Sequence, residues 1–116
     1  MKFEEIDNIE EYENFVLNND YAHFMQSYYW GEVAKLKNFI PHTVVLKDNG
    51  KIIASALILE KKLLSKYSYF YIPRGYILDY KNHDLIKTFT NYMKEFAKKN
   101  HAIFVKIDPD IKLHDS

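Results

Sequence analysis

The single arginine of this 116-residue chain, Arg74, stands between Pro73 and Gly75 where the aromatic run YSYFYI ends. A planar guanidinium on a rigid turn suits two-pronged recognition of phosphate or carboxylate, and Gly75 lets a ligand approach the backbone. The same turn equally fits a structural ion pair, with Asp79 or Asp108 as partner. Asp108 opens the segment DPD after a strand-like run. A carboxylate displayed at the end of a strand can act as general base or position an amine. An Asp-Pro pair can also do no more than stop a strand. The segment FMQSYYW gathers Gln26, Ser27 and Trp30. It would make either a ligand platform at a helix N-terminus, or a core tryptophan with Gln26 and Ser27 occupied in capping.

Other chemistries lack their residues. The histidines (23, 42, 83, 101 and 114) show no HxH or HExxH spacing and cysteine is absent, which argues against zinc and excludes disulfides and thiolates. There is no glycine-rich phosphate loop, no GxSxG elbow and no paired-carboxylate signature. The formal net charge is zero with both signs interspersed, unlike the dense basic footprint of a dedicated nucleic-acid binder. No apolar run is long enough to span a bilayer, and the acidic opening MKFEEIDNIEEYENF has no secretion core. A cytoplasmic protein is the expectation.

These residues need elements to hold them. Hydrophobic residues make up 47% of the chain and aromatics 16%, enough for a packed core. MKFEEI reads as a short opening strand. Asp7, with Glu10 three residues on, predicts a capped helix over about residues 8–18, on which Ile9, Tyr12, Phe15 and Val16 recur at helical spacing. Ser27 is placed to cap a second helix through YYWGEVAKLKNF, with Trp30, Val33, Ala34 and Lys37 along one side and Pro41 closing it. HTVVLKD and KIIASALILEKKL, separated by Asn-Gly, predict a hairpin. YSYFYI adds a strand that must end at Pro73. NHDLIKTFTNYMKEFAKKN is an amphipathic helix with Leu85, Phe89, Tyr92, Met93 and Phe96 inward. HAIFVKID reads as a final strand of the buried type. The sum is an α+β domain over residues 1–116, a mostly antiparallel mixed sheet with flanking helices. The closing IKLHDS carries no element to cover that last strand, so an incomplete domain cut from a longer chain is expected.

Four segments in order resemble the amino-terminal part of the Fem family, the aminoacyl-tRNA-dependent ligases that build peptidoglycan interpeptide bridges. They are FMQSYYWGEVAK, VVLKDNGKIIASALILEKKL, YFYIPRGYILDY and LIKTFTNYMKEFAKKNHAIFVKIDPDI. The resemblance implies the first part of one acetyltransferase-like (GNAT-type) unit in a two-unit enzyme. That enzyme would move an amino acid from aminoacyl-tRNA to the stem-peptide amino group of a cell-wall precursor. It implies no cofactor and no metal. The implied partners are aminoacyl-tRNA, a muramyl-pentapeptide diphosphate or its lipid-linked form, and the remainder of the chain, with no integral membrane segment. The setting would be the cytoplasm or the inner face of the membrane. The family's phosphate-binding lysine follows its tryptophan by one helical turn. Here Ala34 holds that position, leaving Lys35, with Lys37 as fallback, to grip diphosphate beside Gln26, Trp30, Arg74 and Gly75. Where the family commonly reads RGP, this chain has Arg74-Gly75-Tyr76. Asp108 matches the family's DP strand end, as a candidate base. Two other readings are a Fem-like binding module without chemistry and a small-molecule N-acyltransferase. The latter should carry the Q/R-x-x-G-x-G/A cofactor loop, which is missing.

Overall fold

The computed structural model describes residues 1–19, 22, 24–63 and 66–107. One sheet of five strands runs in the order β1 (Lys2–Glu5), β2 (Ile40–Asp48), β3 (Lys51–Lys62), β4 (Ser68–Ile72) and β5 (Ala102–Ile107). The first four strands pair antiparallel and β5 joins β4 in parallel. Parallel neighbours need a crossover, supplied by helix α3 (His83–Lys99). Helices α1 (Ile9–Leu17) and α2 (Tyr28–Ala34) lie between β1 and β2 in sequence, and α2 runs on into a 3-10 turn, Lys35–Lys37.

Local chemistry explains most of these boundaries. Asn49 (φ 53°) and Gly50 (φ 80°) both take the left-handed conformation that a two-residue hairpin turn of the primed type requires. Asn8 rather than Asp7 caps α1, its side chain accepting from the Glu11 amide at 3.0 Å. Either residue type serves, so sequence alone leaves the start uncertain by one position. Ser27 caps α2 as expected, accepting from the Trp30 amide at 3.2 Å. Left-handed Asn38 (φ 68°), not Pro41, ends that helical stretch. Pro41 sits inside β2, where the strand has outrun β1 and has one neighbour, the setting in which a sheet tolerates proline.

The sheet carries a core on each face. On one, Leu85, Phe89, Met93 and Ala97 of α3 meet Val44, Leu46, Ala54, Ala56, Ile58, Phe70 and Ile72. On the other, Tyr12 and Val16 of α1 pack on Val45, Ile52 and Ile77, while Ala34 of α2 packs on Leu57 and Leu59. The face that α2 turns to the sheet differs from the expected one. Gly31 and Ala34 are its buried residues and Val33 is exposed. A Cβ on Gly31 would lie 2.9 Å from the Pro41 Cβ and 3.3 Å from the Leu57 Cδ1, so the missing side chain sets how close the helix comes. Gly31→Ala is therefore expected to destabilise the fold by about 1–2 kcal/mol, overpacking outweighing the gain in helix propensity. Urea unfolding measures it, and an equal or more stable variant would contradict this contact.

β5 also departs from expectation. Ile103, Phe104, Val105 and Ile107 are exposed, so it is not a buried strand among the described residues. Its apolar composition reads as central, but it pairs with β4 on one side only and follows α3 at the margin of the core.

Candidate functional site

The Arg74 turn is a break in an edge that β3 keeps paired. The register Leu59↔Tyr71 would set residue 75 opposite Ser55, yet the residue bridged to Ser55 is Ile77. Two residues are therefore looped out, and the chain then rejoins β3 through Ser55–Ile77 hydrogen bonds of 3.0 and 2.8 Å. Arg74 (φ 63°) and Gly75 (φ 78°) both take the left-handed conformation. Glycine does so freely, whereas an arginine accepts a cost of about 1–2 kcal/mol.

What holds this turn is Gln26. The residue belongs to the 3-10 turn Phe24–Gln26 and is fully buried. Its Nε2 donates to the Gly75 carbonyl at 3.0 Å and to the Arg74 carbonyl at 3.3 Å. Its own backbone carbonyl accepts from the Tyr12 hydroxyl at 2.7 Å. Burial pushes that phenol far above its ordinary range, which keeps it a donor at any physiological pH. Sequence reasoning grouped Gln26, Arg74 and Gly75 as candidates, and they are in contact. Tyr12 it took only as a core side chain; the available signal was that a buried tyrosine hydroxyl requires a partner.

Trp30 is partly buried against the Ala34–Leu57–Leu59 cluster, beside Phe39 and Tyr71. Lys61 lies over the Phe39 ring at 4.8 Å and Lys106 over Tyr71 at 5.7 Å. The aromatic band that began with Trp30 thus continues across β4 with ammonium groups above it, and Tyr69 stacks on Phe104 at 5.0 Å.

Lys35 and Lys37 lie in the 3-10 turn at the C-terminal end of α2, whereas Gln26 lies before its N-cap, Ser27. Lys35 lines a groove of about 340 Å³ with Tyr28, Glu32, Pro41 and Thr43, between α2 and the strands β1 and β2. The Glu32 carboxylate pairs with its ammonium and holds its pKa above the usual lysine range. Lys37 is exposed, and its backbone carbonyl accepts from the Lys61 ammonium at 2.8 Å. Asp108 lies outside the described residues. Ile107, immediately before it, pairs with Ile72, so β5 reaches the level of the Pro73–Gly75 turn.

Arg74 stands on a braced turn near the start of α2, its Nε buried, while Lys35 lies in a separate groove at the other end, which Arg74 does not line. No group of three or more metal-ligating side chains occurs among the described residues.

The FemAB family model matches residues 8–116. Aminoacyltransferase FemA of Staphylococcus aureus strain MW2 is 30% identical over 110 residues, which are 94% of this chain and 26% of that protein. The crystal structure of FemX superposes with a TM-score of 0.83 at 29% identity, covering 96% of this chain and 28% of the other. The chain thus spans about a quarter of the length of these relatives. A possible acetyltransferase from Clostridium difficile 630 superposes with a TM-score of 0.60 at 10% identity, over 96% of this chain and 80% of that one, a likeness of fold alone.

Proposed function

Because the chain belongs to the FemAB family, we propose that it forms the amino-terminal part of a longer aminoacyltransferase. That enzyme moves an amino acid from aminoacyl-tRNA to the stem-peptide amino group of a peptidoglycan precursor, in cross-bridge synthesis at the cytoplasmic side of the membrane. The observation that carries the reading is the Gln26 brace. It joins two of the segments that resemble the family, FMQSYYWGEVAK and YFYIPRGYILDY, into one rigid unit beneath a cationic turn.

In this reading the precursor's diphosphate is gripped by Lys35, with Lys37 behind it, and Arg74 organises the acceptor groove. The acceptor amine attacks the ester carbonyl of the aminoacyl-tRNA. A C–N bond forms, the C–O bond to the terminal ribose breaks, and the amine's proton passes to a base while the ribose hydroxyl regains one. Asp108 is the proposed base. The ester is already activated, so positioning supplies much of the rate, on the order of 7–11 kcal/mol in favourable cases. The reading calls on no cofactor. No helix among the described residues is long and apolar enough to cross a membrane.

The test is transfer from labelled aminoacyl-tRNA by the full-length enzyme. Arg74→Lys is expected to lower kcat/KM roughly 10- to 100-fold, the worth of one or two charged hydrogen bonds. Lys35→Ala is expected to act mainly on KM for the precursor. The 116-residue chain alone should give no turnover. Full activity in Arg74→Lys, or transfer by the isolated chain, would contradict the assignment.

A further inference from the structure

Helix α1 lies outside the four segments that resemble the family, yet it grips the start of the first of them. The Tyr12 hydroxyl donates to the Gln26 carbonyl at 2.7 Å, and the Glu13 carboxylate accepts from the Tyr28 amide. Two consecutive side chains of α1 thus hold the backbone on either side of Ser27, the α2 cap. Gln26 in turn holds the Arg74 and Gly75 carbonyls with its Nε2. Ser55 pins the far end of that turn through its two backbone bonds with Ile77. The buried Ser55 hydroxyl also lies beside the Tyr12 phenol, close enough to act on it though short of a regular hydrogen bond. The path therefore closes on itself: β3, α1, the residue before the α2 cap, the Arg74 turn, and β3 again. Tyr12, Gln26 and Ser55 are buried by this chain's own residues, so nothing in the path depends on open surface.

The ordinary account of Tyr12 is a core side chain whose hydroxyl has found a partner. Two features go beyond it. A backbone conformation that costs energy, as at Arg74, persists only where its surroundings hold it, and such strain gathers at working sites. A phenylalanine would also fill the same core; what the hydroxyl alone adds is the hold on Gln26. We propose that Tyr12 is a positioning residue for the transfer reaction: acting through Gln26, its hydroxyl fixes where the turn presents the Arg74 guanidinium. Buried, it touches no substrate itself. The proposal rests on the functional reading above and adds α1 to the parts that shape the acceptor groove.

The test is steady-state transfer from labelled aminoacyl-tRNA by the full-length enzyme, at a temperature where circular dichroism shows each variant folded. Tyr12→Phe is expected to lower kcat/KM for the precursor about 3- to 10-fold, the worth of one hydrogen bond, with KM for aminoacyl-tRNA unmoved. In an Arg74→Lys background the same change should cost less than about 1.5-fold, because the group being positioned is already lost. Val16→Ala alters the core cluster that contains Tyr12 but removes no polar group. It should stay within about 1.5-fold of the parent kcat/KM. If Tyr12→Phe does not fold, Glu13→Gln takes its place, trading a charged acceptor for a neutral one at the Tyr28 amide. A loss of about two- to threefold, again cancelled by Arg74→Lys, is then expected. Parental kcat/KM in the variant, an equal fold loss in both backgrounds, or a matching loss in Val16→Ala overturns the proposal. With transfer by the parent intact, those results leave the functional reading in place. No transfer by the parent enzyme removes both.

Discussion

Gln26→Leu is expected to lower the free energy of unfolding by about 2–4 kcal/mol, although leucine matches glutamine closely in size. The change adds apolar area but leaves the Arg74 and Gly75 carbonyls without the amide that now meets them at 3.3 and 3.0 Å. A buried polar group deprived of its partner costs about 1–3 kcal/mol, and two are affected. The left-handed backbone of Arg74 would lose its support as well. Denaturant unfolding reads the stability. Hydrogen exchange at Gly75 and Ile77 reads the place, since these amides bond to the Ile72 and Ser55 carbonyls. A change below about 0.5 kcal/mol would mean that the turn holds itself, and the link between the two motif segments would lose its physical content.

The second large effect concerns His42, which spans two carboxylates across the sheet. Its Nδ1 lies 2.7 Å from a Glu5 oxygen and its Nε2 lies 2.8 Å from a Glu60 oxygen. Glu60 is 2% exposed and is also approached by the Lys62 ammonium at 3.2 Å. Burial pushes the Glu60 carboxyl up, but hydrogen bonds from His42, Ser68 and Lys62 outweigh it and hold the group below its ordinary value. His42→Leu is expected to cost about 3 kcal/mol, because removing one partner strands a buried charge. His42→Leu with Glu60→Leu should recover most of that loss, giving a large coupling in a double-mutant cycle. The sign with pH follows from Glu60. A lowered folded value contributes stability above the unfolded carboxylate range, near pH 4.5, and loses it as pH falls through the folded value. Parent unfolding curves should therefore weaken in acid, and those of Glu60→Gln should weaken less. Equal acid sensitivity in the two proteins would refute the assignment.

Local signals carried far in this chain and failed at identifiable points. Asn49-Gly50 announced the hairpin because few residue pairs accept two positive φ angles. Ser27 announced its helix because a hydroxyl there has one obvious partner. The spacing of Leu85, Phe89 and Met93 announced which face of α3 is buried. At β5, Ile, Phe and Val read as buried, and in this chain, about a quarter as long as its relatives, the strand has one neighbour and stays exposed. The orientation of α2 was misjudged for a related reason. Periodicity favours large side chains as the inner face, whereas here the smallest ones, Gly31 and Ala34, face inward so that the helix can come close. Of the candidate site, the grouping of Gln26 with Arg74 and Gly75 rested on resemblance. Nothing local announces a contact between residues 48 or 49 positions apart. The Glu5–His42–Glu60 bridge was illegible for the same reason, since each pairing depends on strand register.

The pairing of β1 has a bearing on how the chain is made. Lys2–Glu5 pairs with residues 44–47, whereas β3 meets β2 across a two-residue turn. During synthesis β1 must wait until some forty further residues have followed it before its hydrogen-bonding edge finds a counterpart. Phe3, which packs against Phe89, Tyr92 and Phe96, has no ring to meet until α3 has been made as well. β1 thus gains its hydrogen-bonded neighbour some forty residues before the aromatic side chains that cover it.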